Sequence, residues 1–107
     1  MQREGWGLKT VHPFYRSTKW KQKRERVLRR DEYRCQECKR YGKSTAAATV
    51  HHINPLEQHP EWSLTSWNLV SLCNPCHDSM HDRVTGNLTE KGNRWVERVT
   101  PPTPLAD

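Results

Sequence analysis

Two Cys-x-x-Cys pairs, Cys35/Cys38 and Cys73/Cys76, stand 34 residues apart, and a double histidine, His51-His52, lies between them. Asn68 precedes the second pair, His77 follows its last cysteine directly, and His81 comes four residues later. Each Cys-x-x-Cys turn offers two thiolates, and two such turns close a tetrahedral sphere around a structural metal, with zinc the usual occupant. A closed sphere stabilises the fold and leaves no position for a substrate. The imidazoles and the amide therefore remain for a second site, one that does chemistry. Histidines at i and i+4 on a helix share a face, so His77 and His81 can clamp a cation from two sides. His51 can add a third ligand from a strand.

The spacing between the pairs exceeds the roughly 15–20 residues of a simple zinc ribbon, which leaves room for a hairpin and a loop between the knuckles. Disulfides and free buried thiols are the competing readings. The segment Met1 to Lys9 is polar and carries no apolar stretch, so neither a signal peptide nor a membrane anchor is expected there. That points to a reducing cytoplasm, where such pairs bind metal.

The chain has 107 residues, room for one domain. Only 33% of it is hydrophobic and its mean hydropathy is −1.07. Small domains with thin cores are commonly stabilised by a metal, and the five tryptophans can supply much of the remaining burial. Net charge is +6, and eleven of the 18 lysines and arginines fall between Arg16 and Arg40 against four acids. A cluster of that kind suits a polyanion, with Arg24, Arg29 and Arg30 as the expected phosphate contacts. The competing reading of such a run is a solvated helix face.

These groups need elements to hold them. Residues 1–13 read as an irregular arm, interrupted by Gly5, Gly7 and Pro13. Ser17 or Thr18 can cap a basic helix from Lys19 to about Asp31, with Trp20, Val27 and Leu28 on one face. Tyr33 to Cys38 reads as a zinc knuckle. Ala46 to Ile53 leads into a short strand that Asn54-Pro55 ends, and Leu69 to Leu72 is a second strand. Pro75 opens a helix expected to run to about Arg83. The main domain is then 14–84, and 85–107 reads as a tail closing on a mobile Pro101–Pro104 stretch. Neighbouring strand residues point to opposite faces, so His51 and His52 are expected to flank one phosphate only if the backbone is irregular there.

The run Val50-His51-His52-Ile53-x-Pro55, followed by Asn68-Leu69-Val70-x-Leu72-Cys73-x-x-Cys76-His77, resembles the HNH endonuclease family. Phe14-Tyr15-x-Ser17-x-x-Trp20 and Cys35-x-x-Cys38 resemble its phage-type members with a four-cysteine zinc scaffold. The resemblance spans about residues 14–83 and implies an α+β domain of the ββα-metal fold. It implies that His52 is the general base and that Asn68 braces the loop aiming it. It also implies that His51 and His77 hold the catalytic cation, with His81 matching a third histidine of bacteriocin-type members. Many phage-type members carry Asp where His51 stands. Imidazole is softer than carboxylate, which favours Mn²⁺, Ni²⁺, Co²⁺ or Zn²⁺ over Mg²⁺. DNA is then the partner, nicked one strand at a time with weak specificity, and the resemblance allows a phage packaging terminase as neighbour. The alternatives are a non-catalytic zinc module that binds nucleic acid and an interaction adaptor using the short Pro-rich tail. Cleavage that depends on His52 separates the first reading from both.

Overall fold

A computed structural model describes residues 13–99; the first twelve and last eight residues, with them His12 and the expected Pro101–Pro104 stretch, lie outside the described part. A 3-10 turn, Pro13–Arg16, leads into helix α1, Thr18–Arg30. Ser17 is the cap: its hydroxyl accepts from the Trp20 amide at 3.1 Å and donates to the Phe14 carbonyl at 2.8 Å. Trp20, Val27 and Leu28 form the buried stripe, as their spacing requires. The helix stops where Glu32 and Tyr33 both take positive φ, 56° and 57°, and the Tyr33 amide returns to the Leu28 carbonyl at 2.8 Å. That reversal delivers Cys35 to the start of α2, Gln36–Arg40, where its sulfur accepts from the Cys38 amide at 3.4 Å.

Strands β1, Thr49–His52, and β2, Leu69–Leu72, pair antiparallel with His51 opposite Val70 and His52 opposite Leu69. The first strand is shorter than its β-prone run suggests. Ala46 forms an isolated bridge with Arg34 instead, and the Ala47 amide bonds the Tyr33 carbonyl, so this stretch serves the knuckle. The sheet has two dissimilar faces. On one, Val50 and Leu69 pack on Trp20, Val27 and Leu28 of α1. On the other, Ile53, Val70 and Leu72 pack with Cys35, Cys73 and Met80. Arg30 and Asp31 fasten α1 to the sheet. Arg30 donates twice to Asp31, at 2.8 and 2.9 Å, and also to the carbonyls of Ser66 (2.9 Å) and Leu69 (2.7 Å). The second oxygen of Asp31 accepts from the Ser71 amide at 3.0 Å.

Helix α3 covers Asn74–Asp78 only and does not reach Arg83. The backbone groups needed to extend it are claimed elsewhere. Thr89 takes the Ser79 carbonyl through its hydroxyl (2.7 Å) and the Met80 carbonyl through its amide (2.9 Å). The Asp82 carboxylate accepts from the amides of Val84 and Thr85 at 2.8 and 2.9 Å, an Asx turn that Gly86 completes at φ 80°. The span 85–107, read from sequence as a tail, contains a further helix, α4, Glu90–Val99. Its Trp95, Val96 and Val99 cover the cysteine face, and the Trp95 indole donates to the buried Glu37 at 2.8 Å. Gly92 permits the approach, because a Cβ there would stand 2.6 Å from the Met80 carbonyl oxygen.

The four cysteine sulfurs converge, all within 4.8 Å of one another. Cys38 Sγ lies 3.9 Å from Cys73 Sγ and 3.8 Å from Cys76 Sγ. Tetrahedral zinc with bonds of about 2.3 Å puts neighbouring sulfurs about 3.8 Å apart, whereas a disulfide needs about 2.05 Å. The cluster thus fits zinc, and it joins the knuckle after α1 to the start of α3. A two-stranded sheet is not stable alone. We expect stripping with a strong chelator to abolish the far-ultraviolet circular dichroism and added zinc to restore it. A spectrum unchanged after complete metal removal would contradict this.

Candidate active site

The end of the hairpin opposite the turn-rich knuckle opens into a cleft of about 330 Å³ lined by Tyr15, Thr49, Val50, His51, His52, Pro55, Leu56, Glu57, His77, His81 and Gly86. β1 is regular through both histidines, without the irregularity that flanking one phosphate was expected to need. The cleft runs along the free edge of β1, where both faces are accessible, and so takes His51 from the cysteine face and His52 from the α1 face.

His51, His77 and His81 form one cluster, their ligand nitrogens within 4.8 Å of one another. Ring centroids lie 5.2 Å apart for His51–His77, 5.2 Å for His51–His81 and 5.8 Å for His77–His81. His81 arrives by a route other than the expected continuous helix. It follows α3, pairs with Leu88 as an isolated bridge, and its Nδ1 lies 3.3 Å from the Gly86 carbonyl. His51 is 1% exposed, and its Nε2 is buried without a hydrogen-bond partner. An orphaned buried nitrogen costs free energy, and a cation shared with His77 and His81 would satisfy it. Burial, aided by the His77, His81 and His52 rings, holds the His51 pKa well below the ordinary imidazole value. Burial and then His81 lower that of His77. Both stay neutral, as metal ligation would require, to a lower pH than a free histidine.

His52 stands apart from that cluster. Its ring lies against Trp20, with centroids 5.0 Å apart and planes at 24°, while Phe14 and Tyr15 meet it at 5.7 and 5.9 Å. Nε2 lies 3.0 Å from the Ser63 carbonyl oxygen. A carbonyl can only accept, so Nε2 carries the proton in the neutral ring and Nδ1 holds the lone pair. Burial lowers the His52 pKa, partly offset by the Ser63 bond, and this keeps that lone pair available at neutral pH.

Asn68 is fully buried and ties the loop after β1 to the start of β2. Its oxygen accepts from the Asn54 amide (2.8 Å) and the Asn54 side chain (2.9 Å), and its nitrogen donates to the carbonyls of Asn54 (3.1 Å) and Trp62 (3.3 Å). Trp62 immediately precedes Ser63, whose carbonyl holds His52. Asn68 and His52 are therefore linked through the backbone of one loop. Sequence reasoning took Asn54 as a strand terminator and missed it as the partner of Asn68; an Asn-Pro step after a strand reads as a stop and nothing more. His59 stacks on Trp62 at 4.3 Å and pairs with Glu61, away from the cleft.

The three arginines expected to meet phosphate differ from one another. Arg29 is exposed on α1. Arg24 reaches the Ala48 carbonyl at 3.3 Å. Arg30 is engaged with Asp31, Ser66 and Leu69, which gives it a structural task.

No curated protein matches the chain. The model of the HNH endonuclease family matches residues 35–83. Among solved structures, the HNH endonuclease of the deep-sea thermophilic bacteriophage GVE2, crystallised with a manganese ion, is 42% identical. The match covers 62% of this chain and 72% of that one at a TM-score of 0.61. Paired with a hairpin, a four-thiol cluster and a three-histidine cleft, these likenesses establish that the chain belongs to the HNH endonuclease family, as a metal-dependent nuclease.

Proposed function

We propose that the protein nicks DNA, one strand per event and with weak sequence preference, using His52 as the general base. The observation that carries this reading is the division of the double histidine across the two faces of β1. One imidazole joins a three-nitrogen cluster; the other keeps a lone pair facing the same cleft. A base bound to a cation could not take a proton, so the two roles need two rings.

His52 Nδ1 takes a proton from a water as its oxygen bonds to phosphorus. The ester bond to the departing sugar oxygen breaks, and that oxygen takes a proton from solvent. His51, His77 and His81 would hold a divalent cation, which when bound would supply positive charge against that developing in the phosphodiester. The Ser63 carbonyl fixes the tautomer of His52 and stabilises the imidazolium that forms. Asn68 and Asn54 brace the loop that presents Ser63. Cys35, Cys38, Cys73 and Cys76 would hold a structural zinc and take no part in the chemistry.

Three imidazoles and no carboxylate favour Mn²⁺, Ni²⁺ or Co²⁺ over Mg²⁺, and Zn²⁺ binds there tightly enough to slow turnover. The relative crystallised with manganese is consistent with that order. Among the described residues no helix is long and apolar enough to cross a membrane. A phage gene product working in the cytoplasm of an infected bacterium, beside a packaging terminase, suits the likeness to a phage enzyme.

Supercoiled plasmid incubated across this metal series should yield open circles with Mn²⁺, Ni²⁺ or Co²⁺ and fewer with Mg²⁺. His52→Ala should lose about 10²–10⁴-fold in rate and keep its zinc and its DNA affinity. Plasmid left intact by the wild-type protein with every metal would favour a non-catalytic zinc module. Highest activity with Mg²⁺ and none with Mn²⁺ or Ni²⁺ would contradict the ligand assignment. Affinity should fall steeply with salt. Replacing Arg24 and Arg29 by Gln should weaken binding to all sequences alike and flatten the salt dependence, with Arg30→Gln instead lowering stability. A loss confined to one sequence would show base reading in place of phosphate contact.

A further inference from the structure

The 3-10 turn Pro13–Arg16 lies outside the stretch that the family model covers, residues 35–83, yet it reaches the cleft. The Tyr15 hydroxyl oxygen is 3.4 Å from His52 Nδ1, the nitrogen that carries the lone pair. That separation is long for a direct hydrogen bond and short enough for both groups to contact one water. The Tyr15 ring is held in place by its neighbours. It meets Phe14 edge-on at 5.3 Å and Trp20 edge-on at 5.5 Å. The turn beneath it is pinned by two bonds from Ser17 to the Phe14 carbonyl, at 3.1 and 2.8 Å.

Resting on the assignment of His52 as base, we infer that Tyr15 is a water-positioning group of the nuclease reaction, its phenol oxygen holding the attacking water against His52 Nδ1. The water donates one O–H to Nδ1 and the other to the phenol oxygen, which leaves a lone pair on the water oxygen directed at phosphorus. As that oxygen bonds to phosphorus, the first proton passes to Nδ1 and the sugar oxygen departs; Tyr15 neither gains nor loses a proton. Burial, and then the charge of Glu57, raise the Tyr15 pKa above the ordinary phenol value, so the group stays a neutral hydroxyl throughout the working range. The turn thereby supplies a contact to the nucleophile, and the first turn of α1 supplies a wall of the base's pocket through Trp20.

The full chain, loaded with zinc and Mn²⁺, tests this in single-turnover cleavage of a labelled duplex. Tyr15→Phe keeps the ring and removes the oxygen. It should slow cleavage at saturating DNA about 10-fold, the equivalent of about 1.4 kcal/mol, with Kd for DNA and Tm unchanged. Tyr15→Leu should be slowed at least as much. Wild-type rate in Tyr15→Phe with a slow Tyr15→Leu would assign the effect to the ring and overturn the proposal. A loss that appears in Kd would mean that the hydroxyl meets DNA, and would overturn it as well. His52→Ala run alongside separates the two readings: if it cleaves normally the base assignment fails, whereas a dead His52→Ala beside a fully active Tyr15→Phe sinks the Tyr15 role alone.

Discussion

Four cysteine sulfurs gathered within 4.8 Å hold together a chain that has little else to fold around. The sheet has two strands of four residues each, α2 and α3 have five residues apiece, and neither helix nor hairpin of that length is stable in water by itself. Burial pushes the thiols of Cys35 and Cys76 up, so without a cation they remain protonated in a confined space. A tetrahedral cation resolves that conflict. Metal binding contributes about 10–16 kcal/mol of apparent folding free energy in zinc-finger peptides, enough to decide whether so small a core forms. Everything on the cysteine face, from Met80 to Trp95, packs on that cluster or on what it positions.

The hairpin then acts as a partition between two chemistries. Strand alternation sends His51 to the cysteine face, beside His77 and His81, and His52 to the α1 face, beside Trp20. The cluster on one side wants neutral ligands and an electropositive guest. The aromatic box on the other wants a neutral ring with a fixed tautomer. One residue step along a strand gives both, and the free edge of β1 lets the two share a cleft. The Asn54–Asn68 pair holds the loop that closes this arrangement. Since Asn68 immediately precedes β2 and Asn54 comes two residues after β1, the brace depends on the register that sets those strand ends opposite each other.

Much of this was legible in the residues. The cysteine spacing announced a tetrathiolate, and β2 and the buried face of α1 followed from short-range pattern. What escaped did so for a physical reason. Helix α3 stops at Asp78 because Thr89 and the Asp82 carboxylate take backbone groups that a longer helix would need, and such competition is settled in space. The α4 helix lies in a span whose prolines and charges suggest a tail; its stability comes from Trp95 and Val99 reaching the cysteine face, which sequence period alone does not reveal. Arg30 looked like its neighbours on a basic helix, and only the fold shows that two strand and loop carbonyls occupy it. β1 is regular through His51 and His52, and both line one cleft because β1 is an edge strand with both faces open along that edge.

The proposed function needs two coexisting cation sites with separate duties, sulfur for folding and nitrogen for reaction. Its most direct test is the metal content of folded protein equilibrated with zinc and then with excess manganese, for the wild type and for His77→Ala. Zinc and manganese together are expected in the wild type, and zinc alone in His77→Ala with an unchanged circular dichroism spectrum. Loss of zinc or of structure in His77→Ala, or a wild-type protein that takes up zinc and no manganese, would contradict it.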